Sequence, residues 1–382
     1  MRANRAGVVE KFKRKLFYLG GYDPRGVRFY HQLYREQAER YGALSGETVT
    51  VSPRRSAPGS AARWIVENES AGVETDYEFL RWEDLVGRSW IRNPLQLAWR
   101  SLFTYAGFLR FLDIPTIRRL KRGTLITLLY PPALALLFPL IGMLLVGGAL
   151  CLLLPWYVAL PVGLAAGILL SGRPLNKLIV PWLLRFFHFN HQLAAKGYDA
   201  EFSARIDQFA ARIAATLDEP YDEILFVAHS NGSILAASVM NRILALRQGK
   251  MPENFALVTL GHCIPLIGCR ADARWFHEDL RGVAAQDFRW IDIGSPPDGA
   301  VFHLIDPMAI VARESRPRLT LLSPRFHRFY DPATYHSGWG SKYEIHFDYL
   351  RVGDVLSPLD YLSLTAGRRT IDEAVALFRT IS

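Results

Sequence analysis

Cysteine is scarce: only Cys151, Cys263 and Cys269 occur in 382 residues. Three cysteines cannot build a disulfide framework, and such a count fits a reducing compartment. Cys263 and Cys269 lack the partner pairs of a zinc site, so the cysteines read as small buried apolar residues. No Arg/Lys stripe alternates with aromatics, so a nucleic-acid groove is excluded although the net charge is +9. The N-terminal stretch MRANRAGVVEKFKRK has no apolar centre and does not read as a signal peptide. Internal repeats and extended low-complexity runs are missing too; Arg54–Ser60 (RRSAPGS) alone reads as a flexible turn or short linker. With 50% hydrophobic and 12% aromatic residues, the chain can bury a sizeable core and leaves little room for disorder.

Charge is absent from Gly123 to Gly172. A membrane span needs about 20 apolar residues, so this run is long enough for two spans and too long for one. Leu125–Val146 and Leu150–Leu170 are the expected spans, with the turn near Gly147 and Gly148 or, alternatively, near Pro155. A buried hairpin in a large soluble core is the other reading, but core helices rarely run beyond about 10–14 residues without a charge. Arg118, Arg119, Lys121 and Arg122 precede the run, and Arg173 and Lys177 follow it. The positive-inside rule then puts both flanks, and any catalytic domain they carry, on the cytoplasmic side of an inner membrane. Asn93–Ile114 and Leu178–Phe189 mix aromatics with few arginines and read as helices at headgroup level. Packing on a soluble domain is the alternative for both. The chain thus divides into residues 1–92, a membrane insertion at 93–190, and residues 191–382.

The most informative stretch is Tyr221–Leu246. Ile224–Ala228 is strand-like, and from Ile234 onward apolar residues recur at roughly helical spacing. Between them lies Ala228-His229-Ser230-Asn231-Gly232, the small-x-Ser-x-small pattern of a nucleophile elbow. Small residues two either side of the serine let strand and helix backbones pass closely and lift the hydroxyl clear. The Asn231 N–H, at the helix start, points where an oxyanion would form. A serine at an ordinary helix N-cap is the plain alternative. His229 adjoins Ser230 too closely to act as its base and reads as a packing or substrate-side residue.

In these features the chain resembles the α/β-hydrolase superfamily, in particular a bacterial membrane-associated branch similar to serine esterases and lipases. The resemblance covers roughly Lys13–Glu83 and Phe202–Leu350. It implies an α/β fold with a mostly parallel sheet, trimmed because two leading strands are missing, and carrying the hairpin as an insertion. Leu16–Leu19 would be the strand before the oxyanion loop Gly20–Gly26, with Gly21 or Tyr22 as second oxyanion donor, and Val27–Tyr41 the helix after it. Phe288–Ile293 would be the strand before the acid. Asp298 then takes that role, ahead of Asp292 and Asp306. The base follows the strand Leu319–Leu322: His346, in a His-x-x-Tyr stretch, ahead of His336, with His303 and His327 also in the later chain. The expected chemistry is acyl transfer from an ester or thioester through Ser230, His346 and Asp298, with no metal or cofactor. The expected partners are the lipid bilayer and an amphiphilic acyl substrate. An inactive hydrolase-like scaffold and an acyltransferase using the same serine are the competing readings. Ala228, where the family more often has glycine, is a departure.

Overall fold

The structure, a computed structural model, describes residues 11–120, 125–333, 335 and 342–381. Its centre is a nine-stranded sheet. The strands are β1 (Phe12–Leu19), β2 (Val49–Val51), β3 (Arg55–Ala57), β4 (Ala61–Asn68), β5 (Val73–Leu80), β6 (Glu223–His229), β7 (Phe255–Leu260), β8 (Arg289–Ile293) and β9 (Arg318–Leu322). Their order is β2-β4-β5-β1-β6-β7-β8-β9, with β3 pairing with β4. From β5 to β9 the neighbours run parallel; β2, β3 and β4 are antiparallel. The sheet is therefore not trimmed. A meander between the first helix and β5 extends the edge that leading strands were expected to leave short. The same meander corrects the Arg54–Ser60 reading, because Arg55–Ala57 pairs with Ala61–Arg63 around a tight turn.

The principal helices are α1 (Val27–Ser45), α2 (Pro94–Phe111), α3 (Leu125–Gly142), α4 (Trp156–Lys177), α5 (Val180–Lys196), α6 (Ala200–Thr216), α7 (Gly232–Leu246), α8 (Arg274–Ala284), α9 (Lys342–Phe347) and α10 (Ile371–Ile381). Successive side chains of a strand face opposite ways. Thus Phe17 and Leu19 join the core under α5 to α8, while Leu16 and Tyr18 join the core under α1 and α10. All seven residues of β6 are buried. Covered on both faces, such a strand is apolar nearly throughout, and each buried Leu, Ile, Val or Phe contributes about 1.5–3 kcal/mol. At the N-terminal end of β1 the buried cations are paired: Lys15 Nζ reaches Asp76 Oδ2 at 2.9 Å and Glu78 Oε2 at 2.7 Å, and Arg14 Nε reaches Glu223 Oε2 at 2.6 Å.

Among the described residues, two helices are long and apolar enough to cross a membrane, over Leu129–Leu150 and Trp156–Lys177. The first continues from α3 through a π-helical turn, Met143–Gly147, to Leu150. The bend therefore lies at Cys151–Pro155, not at Gly147–Gly148, and the second helix begins at Trp156 rather than Leu150. The glycines serve packing instead. A Cβ on Gly142 would lie 2.1 Å from Gly167 Cα, and one on Gly163 would lie 2.4 Å from Gly147 N, so small residues bring the two backbones together. Leu144, Leu145, Leu152, Leu153 and Leu169 face outward, and Cys151 is exposed rather than buried. The headgroup-level reading fails for α5: Leu183, Leu184, Phe186, Phe187 and Phe189 are buried, and the helix joins the main core. For α2 one face is buried and the other is exposed.

Candidate active site

β1 is the point at which the sheet order reverses: the chain leaves it toward β5 and returns beside it as β6. Open α/β sheets form a crevice at the carboxyl ends of the strands at such a point. Leu19 pairs with Ala228 across it, so the loops after β1 and β6 face one another. Ser230 occupies the turn from β6 into α7 with φ +56°. For a non-glycine residue this left-handed conformation costs on the order of 1–3 kcal/mol. The surroundings hold it: Ser230 N donates to Leu260 O at 2.9 Å, and Ser233 Oγ donates to Ser230 O at 2.6 Å. At Gly232 a Cβ would lie 2.5 Å from Leu19 O and 2.6 Å from Gly20 O, a contact no other residue tolerates.

His346, on the short helix α9, places Nε2 2.8 Å from Ser230 Oγ and Nδ1 2.8 Å from Asp298 Oδ2. A carboxylate can only accept, so Nδ1 carries the proton and Nε2 presents its lone pair to the serine hydroxyl. Asp298 is fixed in turn, its Oδ1 accepting Ala300 N–H at 3.0 Å. The loop bearing it is tied down where Ser295 N donates to Tyr349 Oη at 2.7 Å, which gives the Tyr of the His-x-x-Tyr stretch a structural task. The whole relay is buried.

Gly21 lies against the serine. A Cβ there would be 3.0 Å from Ser230 Cβ and 3.3 Å from Ser230 Oγ. Among the described residues, the backbone N–H groups of Tyr22 and Asn231 make no hydrogen bond. Asn231 N adds the partial positive charge of the α7 N-terminus. The Tyr22 ring anchors the loop, stacked on Phe189 at 4.8 Å and Trp90 at 5.6 Å, and burial raises its phenol pKa to about 12. Asp23 and Arg25 complete the loop as a fork, with Arg25 Nε 2.9 Å from both carboxylate oxygens and Tyr30 Oη donating to Oδ2 at 3.0 Å.

A pocket of about 230 Å³ opens over Ser230 and His346. Its walls are aromatic, from Tyr22, Tyr30, Trp90, Trp182 and Phe347, with Arg25 as the cation. Trp182 comes from the first turn of α5, immediately after the second apolar helix, and its ring centroid is 6.3 Å from that of His346. Arg185, one turn on, lies over Trp90 and donates to Ile91 O at 2.7 Å.

The rival residues lie apart from the relay. Asp292 is fully buried, accepts Thr259 Oγ1–H at 2.6 Å, and is held protonated by desolvation, with its pKa raised to about 8. Asp306 caps a 3₁₀ turn through Met308 N at 2.8 Å. His303 is partly buried behind the acid loop and His327 is exposed; His336 lies outside the described residues. His229 donates from Nε2 to His346 O at 3.0 Å, and burial pushes its pKa well below the usual imidazole value, so it supports the His346 backbone as a neutral ring.

Three features of the site have no signal in the sequence. Cys263 Sγ sits 3.9 Å from Ser230 Oγ, with burial pushing its thiol pKa up. Trp90 and Trp182 meet in the pocket only in space. The Asp23–Arg25 fork could have been sought from its i,i+2 spacing after the glycines, but nothing marks it out. Compared with known proteins, the chain matches no family model, no curated protein and no solved structure. The reading of the site therefore rests on geometry.

Proposed function

We propose that the chain is a membrane-anchored serine hydrolase of the α/β-hydrolase type that cleaves ester or thioester bonds of amphiphilic substrates. One observation carries the proposal. A serine in a left-handed turn at the switch point of a parallel sheet is linked to His346 and Asp298 by two hydrogen bonds of 2.8 Å. Such a chain is the working part of a Ser-His-Asp triad on any fold.

In the proposed reaction Ser230 Oγ attacks the acyl carbonyl carbon as its proton passes to His346 Nε2. The carbonyl oxygen becomes an oxyanion held by the N–H groups of Asn231 and of Tyr22 or Gly21. The intermediate collapses, and His346 returns the proton to the departing alkoxide or thiolate. Water, deprotonated by the same imidazole, then attacks the acyl-serine, and the released carboxylate leaves Ser230 protonated again. Asp298 stays ionised throughout, orienting His346 and stabilising its charged form.

The membrane placement follows from parity. Gly21 precedes the apolar helices and Ser230 follows them, yet a Gly21 Cβ would lie 3.3 Å from Ser230 Oγ. Both halves of the site thus share a compartment, so the hairpin crosses an even number of times or only dips into the bilayer. The cations at both of its ends support the cytoplasm as that compartment. The aromatic pocket walls and the short link from α4 to Trp182 support a substrate with an apolar acyl chain. The test is covalent labelling by a fluorophosphonate probe. Wild-type protein should label, and Ser230→Ala should not while keeping its circular dichroism spectrum. Equal labelling of the folded variant refutes the proposal.

A further inference from the structure

The charge of this protein is unevenly placed. Between Leu85 and Tyr198 there are twelve Lys and Arg residues and a single acid, Asp113, whereas the chain as a whole has 45 and 36. The remaining residues carry 33 cations and 35 acids, so the entire positive excess resides in the part of the chain that holds the apolar hairpin.

Within this part α2 has two apolar faces. Leu97, Ser101, Thr104 and Phe108 form one; they are buried, with Thr104 Oγ1 2.8 Å from His188 Nδ1 on α5. On the opposite side Leu95, Trp99, Leu102, Phe103 and Leu109 recur at helical spacing and are 57–75% exposed. Trp99 and Phe103 pack edge to face at 5.0 Å. Water is a poor neighbour for such a stripe, which on a soluble monomer would be an association hazard. Arg92, Arg100 and Arg110 surround it; all are exposed, and among the described residues none is paired with a carboxylate. Arg110 lies at the C-terminal end of the stripe, where a long side chain can keep its charge in the headgroups while its stem covers apolar surface. The helix then leads through Ile114–Arg119 toward α3, so the stripe is joined to the hairpin by a short length of chain.

We propose that the outer face of α2 is a second membrane-binding surface, which lies in the headgroup region of a leaflet rich in anionic lipid. The apolar stripe supplies insertion and the arginines supply selection of headgroup charge, each arginine by a factor of about 5. A partner protein or a second copy of the chain would cover the stripe without needing three unpaired arginines beside it. The surface does not depend on the chemistry of Ser230. Its effect is to hold Trp90, four residues before Pro94, and hence the pocket mouth, close to the lipid.

The test uses the full chain reconstituted in vesicles of phosphatidylcholine or of phosphatidylglycerol. Cys151→Ser removes the exposed native thiol. Phe103→Cys then takes an environment-sensitive fluorophore, and Glu253→Cys, on an exposed residue outside the basic segment, serves as control. A lipid bearing a nitroxide near its headgroup is the quencher. Quenching should be strong at position 103, weak at position 253, and greater in phosphatidylglycerol. Arg92→Gln, Arg100→Gln and Arg110→Gln together should bring the phosphatidylglycerol value down to that in phosphatidylcholine, with an unchanged circular dichroism spectrum. Equal quenching at positions 103 and 253 overturns the proposal. So does a blue-shifted fluorophore at 103 that lipid does not quench, which would mean that protein covers the face. An excess in phosphatidylglycerol that survives loss of the three arginines also overturns it.

Discussion

Replacing Asp292 by Asn should reverse the sign of its effect on stability between acid and alkaline pH. The carboxyl is buried, its Oδ1 accepts one hydrogen bond from Thr259, and its Oδ2 makes no hydrogen bond, with the His262 ring, kept neutral by burial, 3.9 Å away. Its folded pKa is raised to about 8 by desolvation, against roughly 3.9 in an unfolded chain. A raised pKa means that the folded state binds the proton more tightly, so wild-type stability is greatest below pH ~4. Between pH ~4 and ~8 the unfolded state is ionised and the folded state is not. Stability then falls by up to about 1.4 kcal/mol per pH unit, reaching on the order of 5 kcal/mol in all. Above pH ~8 both states are ionised and the loss is complete. Asparagine keeps the shape and the acceptor but puts an unpaired N–H₂ at the Oδ2 position, which costs about 1–3 kcal/mol at any pH. Asp292→Asn should therefore be the less stable protein at pH 4.5 and the more stable one at pH 8.5, with the curves crossing near pH 5–6. Thermal or urea unfolding of both proteins in the same detergent across that range gives the comparison. A stability difference that does not change with pH would show that Asp292 is ionised in the fold, and the desolvation argument would be wrong. Probe labelling should survive in the same variant, because Asp292 does not touch His346.

Three further outcomes are expected. Asp298→Asn and His346→Ala should each lower ester hydrolysis by about 10⁴-fold, and adding either to Ser230→Ala should cost little more, because the three act as a unit; kinetics of the single and double variants would reveal additivity if they do not. Gly21→Ala should fold yet lose about 10²-fold or more in acylation rate, since its methyl would stand 3.3 Å from Ser230 Oγ; a variant labelled at the wild-type rate would remove Gly21 from the site. Single cysteines at Glu36 and Glu253, before and after the hairpin in a background without Cys151, should both be shielded from an impermeant thiol reagent until cells are opened, and reaction of one alone from outside would make the number of crossings odd.

The parts of the fold legible in the sequence are those with dense local signals. β6, the Ser230 turn and α7 are read from one continuous stretch, because a buried strand followed by small residues and a helical repeat has few other uses. The strand Arg318–Leu322 is likewise visible as the apolar run Leu319–Leu322, one residue short. β2 and β3 leave no strand signal because each is three residues long and the nearby Pro53, Pro58 and Gly59 are residues that normally mark turns. Of the two places the sequence offers for the hairpin bend, the one near Pro155 holds, because Gly147 and Gly148 look like turn residues but lie within the helix, where Gly147 serves close packing of the helix pair. The sequence of α5 does not distinguish an interfacial from a packed helix, because a helix with only one arginine looks the same in a lipid interface as in a core. The link from Ser230 to Asp298 and His346 depends on strand order, which the resemblance implied and no residue pattern states. Trp182 as a pocket wall was beyond reach for the same reason.

The position of the hairpin also dictates an order of assembly. β1 pairs with β5 on one edge and with β6 on the other, and some 143 residues, including both apolar helices, separate Leu80 from Glu223. At a synthesis rate of about 5–20 residues per second, the second edge of β1 waits roughly 7–30 s for its partner. During that interval Arg14 lacks Glu223, and the backbone of β1 is an open edge of the kind that recruits other chains. The hairpin emerges within the same interval, so its capture by the bilayer tethers an unfinished sheet before the last four strands arrive. Chains arrested between Leu80 and Glu223 should accordingly show β1 amides that exchange with solvent, whereas completed chains should protect them.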